Sequence, residues 1–287
     1  MGDLNLRINH KKINEKKVWL YCVTSRDPEL TKISKFIKKR GLRAFPYEFI
    51  DQYKRDEIQV NWDNDGYPYV NHHGNDLYLK KEWDRGKCQR YYNSLRIEQD
   101  PESPHKYLTE KARYLQKSDV VADVGAAEGF FSLDIIDTVE KIYIFEADKA
   151  WLIPLQKTFA KWQNKVEIVH KFVSDSNDGD NITLDSFFKN KRITYLKADI
   201  EGAEALMISG AIHTFNHSIK KALICTYHRH DDEKKLGKMM IDCGFDISFN
   251  KGYILYFNDK ESLKYPYLRK GVMFCSKEYR CRNPRND

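Results

Sequence analysis

The sequence predicts an α/β fold: a mostly parallel, doubly wound sheet with an antiparallel C-terminal edge, joined to a small N-terminal α+β region. Three observations predict it. From residue 118 onward, short apolar runs alternate with amphipathic stretches, the pattern of parallel strands and crossover helices. The first of these runs, residues 120–124, ends in a glycine turn and enters a helix at once. The last three runs follow one another without helices between them, as an antiparallel edge does.

In chain order, residues 17–23 (KVWLYCV) read as a strand. Residues 28–40 carry Leu30, Ile33, Phe36 and Ile37 at helical spacing, with Gly41 as the stop. Residues 51–100 are rich in Tyr, Asn, Asp and Trp and read as short strands and loops before a helix over 84–97. Two prolines make 99–105 a loop. Strands are then expected at 120–124, 141–145, 166–173, 193–196 and 222–226, with helices from 129 and over 148–162, 203–215 and 232–243. Residues 246–249, 253–257 and 271–275 close the chain as strands. The expected organisation is an N-terminal appendage over 1–95 and a main domain over 96–287.

Composition narrows the class. The 287 residues are 41% hydrophobic and 32% charged, a globular balance. No apolar run approaches the ~18 residues of a membrane helix. Residues 1–17 are polar throughout, so no secretory leader is expected. Cys22, Cys88, Cys225, Cys243, Cys275 and Cys281 are widely spaced without a C-x-x-C, which points to a reduced, cytoplasmic protein rather than a zinc cluster or disulfide scaffold. The net charge of +7 is unevenly spread. Residues 119–210 hold 16 acidic and 10 basic side chains, whereas the flanks 1–56 and 211–287 are net basic. The basic run Lys38–Lys39–Arg40 is the solvated face of a helix.

The chemistry centres on Val121-Ala122-Asp123-Val124-Gly125-Ala126-Ala127-Glu128-Gly129. The first strand-to-helix turn of a doubly wound sheet is where nucleotide-like ligands bind, and glycine lets the backbone turn tightly beside them. The dinucleotide fingerprint G-x-G-x-x-G is missing. Asp123 and Glu128 would repel a pyrophosphate but suit the ammonium and sulfonium of S-adenosylmethionine. Glu146 lies 21 residues after Gly125 at the end of the next strand, the offset at which a carboxylate accepts from ribose hydroxyls. Ala147 and Asp148 follow it on the same rim. Ser174 and Asp175, ending the third strand, are placed to bond an adenine edge.

The stretches DVGAAEGFFSL, FEAD, VSD, LKADIEGAEALMISGA and CTYHRHD resemble the FkbM family of class I S-adenosylmethionine-dependent methyltransferases over roughly residues 96–260. The most specific element is Lys197-Ala198-Asp199-Ile200-Glu201-Gly202-Ala203-Glu204, similar to the family's K-x-D-x-E-G-A-E signature. Glu98-Gln99 and Ser103-Pro104-His105-x-Tyr107 resemble a segment that precedes the fold in some members, and His105 and Tyr107 are taken into the cofactor site as a lid, with a Pro-stiffened interdomain connection as the alternative. The resemblance implies a Rossmann-like class I methyltransferase fold and methylation of hydroxyls on sugars, polyketides or other secondary products, many of them in polysaccharide pathways. Relatives often have asparagine at the Ala127 position. Residues 1–95 resemble nothing nameable.

A sugar hydroxyl is a poor nucleophile, so a general base or a metal ion is expected. His228, at the end of the fifth strand, is the expected base, with Asp199 or Glu201 orienting it or the acceptor. Asp199 and Glu201 could instead hold magnesium, whose ligands are oxygens, while Glu204 reads as a helix cap. The aromatic residues of 59–92 read as core packing, with a sugar-stacking surface as the alternative. His72-His73 has no neighbouring ligand at metal spacing, so no site is assigned there.

The expected partner is a small-molecule or glycan acceptor, with a phosphate-bearing one favoured by the basic flanks. A nucleic-acid methyltransferase is the rival; against it, base N-methyltransferases tend to carry a D/N-P-P-Y-like tetrad where this chain has Asp199-Ile200-Glu201-Gly202. A non-catalytic binding module and a nicotinamide-dependent dehydrogenase are weaker alternatives. The acceptor and the oligomeric state are not legible.

Overall fold

A computed structural model describes residues 14–110, 115–257 and 264–277. The chain opens with helices α1 (14–24) and α2 (Pro28–Arg40), then a meander of β1 (Val60–Trp62), β2 (Pro68–His72) and β3 (Asn75–Tyr78), then α3 (Arg85–Glu98). There follow β4 (Val120–Val124), α4 (Phe130–Ile135), β5 (Lys141–Phe145), α5 (Leu152–Thr158), β6 (Val166–Val169), β7 (Phe172–Val173), β8 (Asn181–Ile182) and α6 (Leu184–Phe187). The remainder is β9 (Tyr195–Ala198), α7 (Glu204–Ser209), α8 (Ile212–His217), β10 (Lys221–Cys225), α9 (Asp232–Asp242), β11 (Asp246–Phe249), β12 (Ile254–Leu255), β13 (Leu268–Arg269) and β14 (Val272–Ser276).

Seven strands form the main sheet in the order β11-β14-β10-β9-β4-β5-β6. Strands β6, β5, β4, β9 and β10 are parallel, and β14 runs antiparallel to both β10 and β11. This is the Rossmann-like class I methyltransferase fold with the expected antiparallel edge. The chain steps outward from β4 to β6, then returns to the other side of β4 as β9. That reversal opens a crevice at the carboxyl ends of β4 and β9, where open α/β sheets bind ligands.

All five residues of β4 are buried, as a central parallel strand requires. Val121 faces one apolar layer with Phe131, Ile142 and Leu223, while Ala122 and Val124 face the other with Phe145, Leu196 and Ile224. Val60, Val70, Leu77 and Tyr92, from the N-terminal meander and α3, join the same layer as Val121. Helix α3 runs across residue 95, so the core is continuous over the boundary expected there.

Four elements differ from expectation. Residues 17–23 are helical, not a strand. Val18 and Cys22 are fully buried while Leu20 and Val23 are exposed, an i,i+4 pattern that the six-residue apolar run 18–23 conceals. Val18 and Cys22 pack with α2 residues and with Leu255 and Leu268 of the β12–β13 pair, which therefore lies off the main sheet. The expected third strand splits: β6 stays in the sheet, and β7 turns away to pair with β8. The expected helix over 148–162 breaks into α5 and two 3-10 turns. The helix expected over 203–215 breaks at Gly210, where a Cβ would be driven into the Ser174 carbonyl oxygen.

Candidate active site

Two adjoining cavities of about 540 and 230 Å³ lie at the carboxyl ends of β4, β5 and β9. They share Tyr91, Gly125, Ala127, Asp199 and Glu201. The outer cavity has aromatic walls, Trp83, Trp151, Phe145 and Phe172, with Glu146, Ala147 and Asp148 on its rim. The inner one is polar: Glu98, Gln99, Tyr107, Glu128, Lys197 and Tyr227 line it, with Ala126.

The glycine turn shapes both. Gly125 has φ 72°, and a Cβ there would collide with the Asp199 carbonyl oxygen, so the β4 and β9 turns close together only with glycine. Gly129 has φ 86°, and its Cβ would lie 2.7 Å from the Phe159 ring. Ala127 is also left-handed, at φ 48°, a conformation asparagine tolerates better than alanine. Its amide donates to Glu146 Oε2 at 2.8 Å, and the Asp148 amide donates to Oε1 at 2.7 Å. Glu146 is thus locked by two backbone donors, with lone pairs left for the cavity. Asp148 caps the following 3-10 turn and accepts from Lys80.

Asp123 lines neither cavity. It is fully buried, accepts from Ser132 Oγ at 2.7 Å and lies 3.0 Å from Lys197 Nζ. Lys197 also donates to the Gly125 carbonyl at 2.8 Å. Burial disfavours its charge, but Asp123 and Asp199 outweigh that and hold its pKa above the ordinary lysine value. The reach of Asp123 into the site is therefore through Lys197. Burial pushes the carboxyls of Glu98 and Glu128 up to about 7; Glu128 accepts from the Tyr91 hydroxyl.

Asp199 is the hub. Its Oδ2 accepts from the Tyr107 hydroxyl at 2.6 Å, and the Tyr227 hydroxyl lies 3.3 and 3.4 Å from its two oxygens. His105 Nε2 is 3.4 Å from Oδ2, and His228 Nε2 is 3.2 Å from Oδ1. Burial alone would raise the Asp199 pKa; hydrogen bonds and charge from His105 and His228 reverse this and hold it well below the carboxylate range.

His228 does not sit where a general base must. Its Nδ1 is 2.9 Å from Glu204 Oε1, both ring nitrogens are enclosed, and it lines neither cavity. Burial disfavours the imidazolium, but Asp199 and Glu204 overcome it and raise the pKa to about 10. At neutral pH the ring is already protonated and cannot touch an acceptor, so its place is that of a positioning cation. Glu204, whose Oε1 also accepts from the Ile200 amide at 3.1 Å, is half cap and half counter-ion.

Glu201 is different. At φ 53°, followed by Gly202 at φ 95°, it takes a left-handed turn that projects an exposed carboxylate where the two cavities meet. Such backbone strain concentrates at functional sites. Around Asp199, two trios of described residues have metal-like spacing, Asp199 with Glu204 and His228 and Asp199 with His105 and Cys225, and neither includes Glu201. A protonated imidazole between two carboxylates does not suit magnesium, which takes oxygen ligands and keeps waters.

Ser174 and Asp175 line neither cavity. The Ser174 amide pairs with Ile182, and its carbonyl packs against Gly210, so the preceding Phe172 and Val173 face the cavity instead. Residues 103–107 are a packed strap rather than a lid: Val272 and Asn250 donate to the Pro104 carbonyl, and Ser103, Pro104, His105 and Tyr107 are buried. His105 lines neither cavity and acts behind Asp199, with Tyr227 bonded to it at 3.0 Å.

Sequence reasoning missed Lys197, Tyr91, Trp83, Trp151, Phe172 and Tyr227 as site residues. A lysine inside the otherwise apolar β9 was the one legible signal, because a buried charge demands a partner. The aromatic residues come together only through the T-shaped packing of Trp83 with Tyr91 and Trp151, at 4.8 and 5.4 Å between ring centroids.

Comparison with known proteins bears on this geometry. The model of the methyltransferase FkbM domain matches residues 64–253. Among solved structures, the FkbM methyltransferase of Methylobacillus flagellatus is 18% identical, with a TM-score of 0.48, 67% of this chain covered and 53% of that one. The chain thus spans about half the length of that relative. A precorrin-6y C5,15-methyltransferase from Geobacter metallireducens is 13% identical, with a TM-score of 0.39 and 60% and 92% of the two chains covered. M. capricolum TrmK, solved with S-adenosyl-homocysteine, is 15% identical, with a TM-score of 0.38 and 60% and 70% covered. No curated protein matches. With about two thirds of its length matched, the chain belongs to the FkbM methyltransferase domain family.

Proposed function

We propose that the protein is an S-adenosylmethionine-dependent O-methyltransferase acting on a hydroxyl of a saccharide, sugar nucleotide or related small acceptor. The observation that carries this is the pairing of an aromatic cavity with an acidic one, joined at Asp199 and Glu201. The donor set fits the cofactor at both ends. Trp83, Trp151 and Phe172 offer faces for a purine, and Glu146 offers lone pairs for ribose hydroxyls. Glu98 and Glu128 suit an ammonium, and Lys197 a carboxylate. Bound there, the cofactor supplies an electrophilic methyl group on a sulfonium.

The protein's own part is alignment and proton removal. Tyr107, Tyr227, His105 and His228 fix Asp199 at the junction as a full negative charge. Glu201, the exposed carboxylate there, accepts the acceptor hydroxyl's hydrogen bond and takes its proton. His228 acts through Asp199 and Glu204. The basic flanks favour a phosphate-bearing acceptor. Among the described residues no helix is long and apolar enough to cross a membrane.

The test is an assay of the full chain with methyl-labelled cofactor against a panel of sugars and sugar nucleotides, with RNA and DNA beside them. A labelled methyl ether on a sugar supports the reading. Label on a base nitrogen alone overturns it in favour of the nucleic-acid rival.

A further inference from the structure

A third cavity, of about 440 Å³, lies beside β2 and α4; it shares Gln99 and Phe130 with the inner cavity but not Asp199, and is lined by His72, His73, Tyr92, Arg96 and Asp134 among others. We propose that His72, His73 and Asp134 form a binding site for a divalent transition metal of the zinc type. One ligand atom from each lies within 4.8 Å of the others. The sequence shows only the two adjacent histidines; the fold adds Asp134 from α4, 61 residues beyond His73.

Several features of the site are those of a metal centre with an open position. His72 ends β2, and its Nε2 is 2.8 Å from Asp134 Oδ1. His73 is at φ 51°, a left-handed conformation for a non-glycine residue, and this turn sets its ring beside that of His72, with centroids 4.3 Å apart. With Gly74 at φ 89° it forms the two-residue turn of the β2–β3 hairpin, in which both positions take positive φ. The second nitrogen of His72 is engaged as a metal ligand's should be: Nδ1 lies 2.9 Å from the Tyr92 hydroxyl. Metal binding takes the place of the proton at Nε2. The remaining ring proton then sits on Nδ1 and is donated to the Tyr92 oxygen, and Tyr92 in turn donates to the Asn71 carbonyl, 3.4 Å away.

Two imidazoles and one carboxylate are the donor set of three-ligand zinc sites, which leave the fourth position open. Mixed nitrogen and oxygen donors favour zinc, cobalt or nickel over magnesium or calcium. His72, His73 and Asp134 line the same cavity as Arg96, so an open fourth position would be reached from there, with the Arg96 guanidinium near enough to favour a bound water or small anion. His73 and Asp134 are exposed, so an ion reaches them from solvent.

The test titrates the chelator-stripped full chain with zinc by calorimetry and with cobalt by visible absorption. The expected result is one zinc per chain and a tetrahedral cobalt spectrum. His73→Ala and Asp134→Asn, both surface changes, each weaken binding more than tenfold, and Tyr92→Phe weakens it about tenfold through the orientation of His72. A double variant of the exposed pair His213 and His217 on α8, which stack at 4.3 Å, leaves binding intact. Absence of binding overturns the proposal, as does binding that survives His73→Ala and Asp134→Asn or disappears with His213 and His217.

Discussion

The Tyr107 hydroxyl donates a 2.6 Å hydrogen bond to Asp199 Oδ2, across 92 residues of chain. It ties the strap before the main sheet to the end of β9 and fixes the carboxylate at the junction of the two cavities. Tyr107→Phe removes a charge-assisted hydrogen bond worth about 1.5–3 kcal/mol. Urea unfolding is expected to register a loss of that order, and the KM for S-adenosylmethionine is expected to rise. Unchanged stability and KM would remove Asp199 from the role given to it.

His228 holds the part-buried Asp199 and the buried Glu204 together. His228→Ala leaves Asp199 and Glu204 without their cation, and breaking such a buried pair costs about 3–5 kcal/mol. The sign with pH follows from a folded pKa of about 10 against an ordinary 6.5. The proton is bound more tightly in the folded state, so its stabilisation is complete below pH 6.5 and is lost as pH rises through about 10. Denaturation midpoints of the parent and of His228→Ala, measured across that window, are expected to converge at the alkaline end. Midpoints that stay equally far apart would contradict the imidazolium assignment.

Cofactor affinity is expected to weaken as pH falls below about 7. Glu98 and Glu128, lifted to that value by burial, become neutral there and lose their attraction for an ammonium. Calorimetry from pH 6 to 8.5 checks this, and Glu98→Gln is expected to lower affinity while flattening the dependence. A pH-independent affinity would place the ammonium elsewhere.

Ala127 carries a left-handed penalty that asparagine carries to a smaller degree. Ala127→Asn is expected to raise stability by roughly 0.5–1 kcal/mol, visible as a higher melting temperature. A lower melting temperature would mean that the turn depends on the small side chain.

The legible parts were those with strong local rules. The β4 run, the Gly125 turn, Glu146 and the Asp199 motif are specified by short-range spacing; Val124, Gly125, Glu146, Asp199 and Glu201 line the cavities, whereas Asp123 and Glu204 stay behind them. Residues 17–23 read as a strand because the six apolar residues 18–23 fit either period, and only packing on Leu255 and Leu268 decides between them. Ser174 and Asp175 were misplaced because the strand leaves the sheet after Val169, a tertiary choice made by pairing with 181–182. His228 and Glu204 are both legible, but Glu204 reads only as a helix cap, so its pairing with His228, and with it the enclosure and raised pKa of the imidazole, is out of reach. The His72, His73 and Asp134 cluster was equally hidden, since no spacing rule joins β2 to α4.

The central claim is that the two joined cavities are one S-adenosylmethionine site. Its most direct measurement is calorimetric titration of the full chain with S-adenosylhomocysteine at pH 8, for the parent and for Glu146→Gln. The account expects saturable one-to-one binding that the substitution weakens about tenfold or more, equivalent to about 1.4 kcal/mol. Absence of binding, or binding indifferent to Glu146, would contradict it.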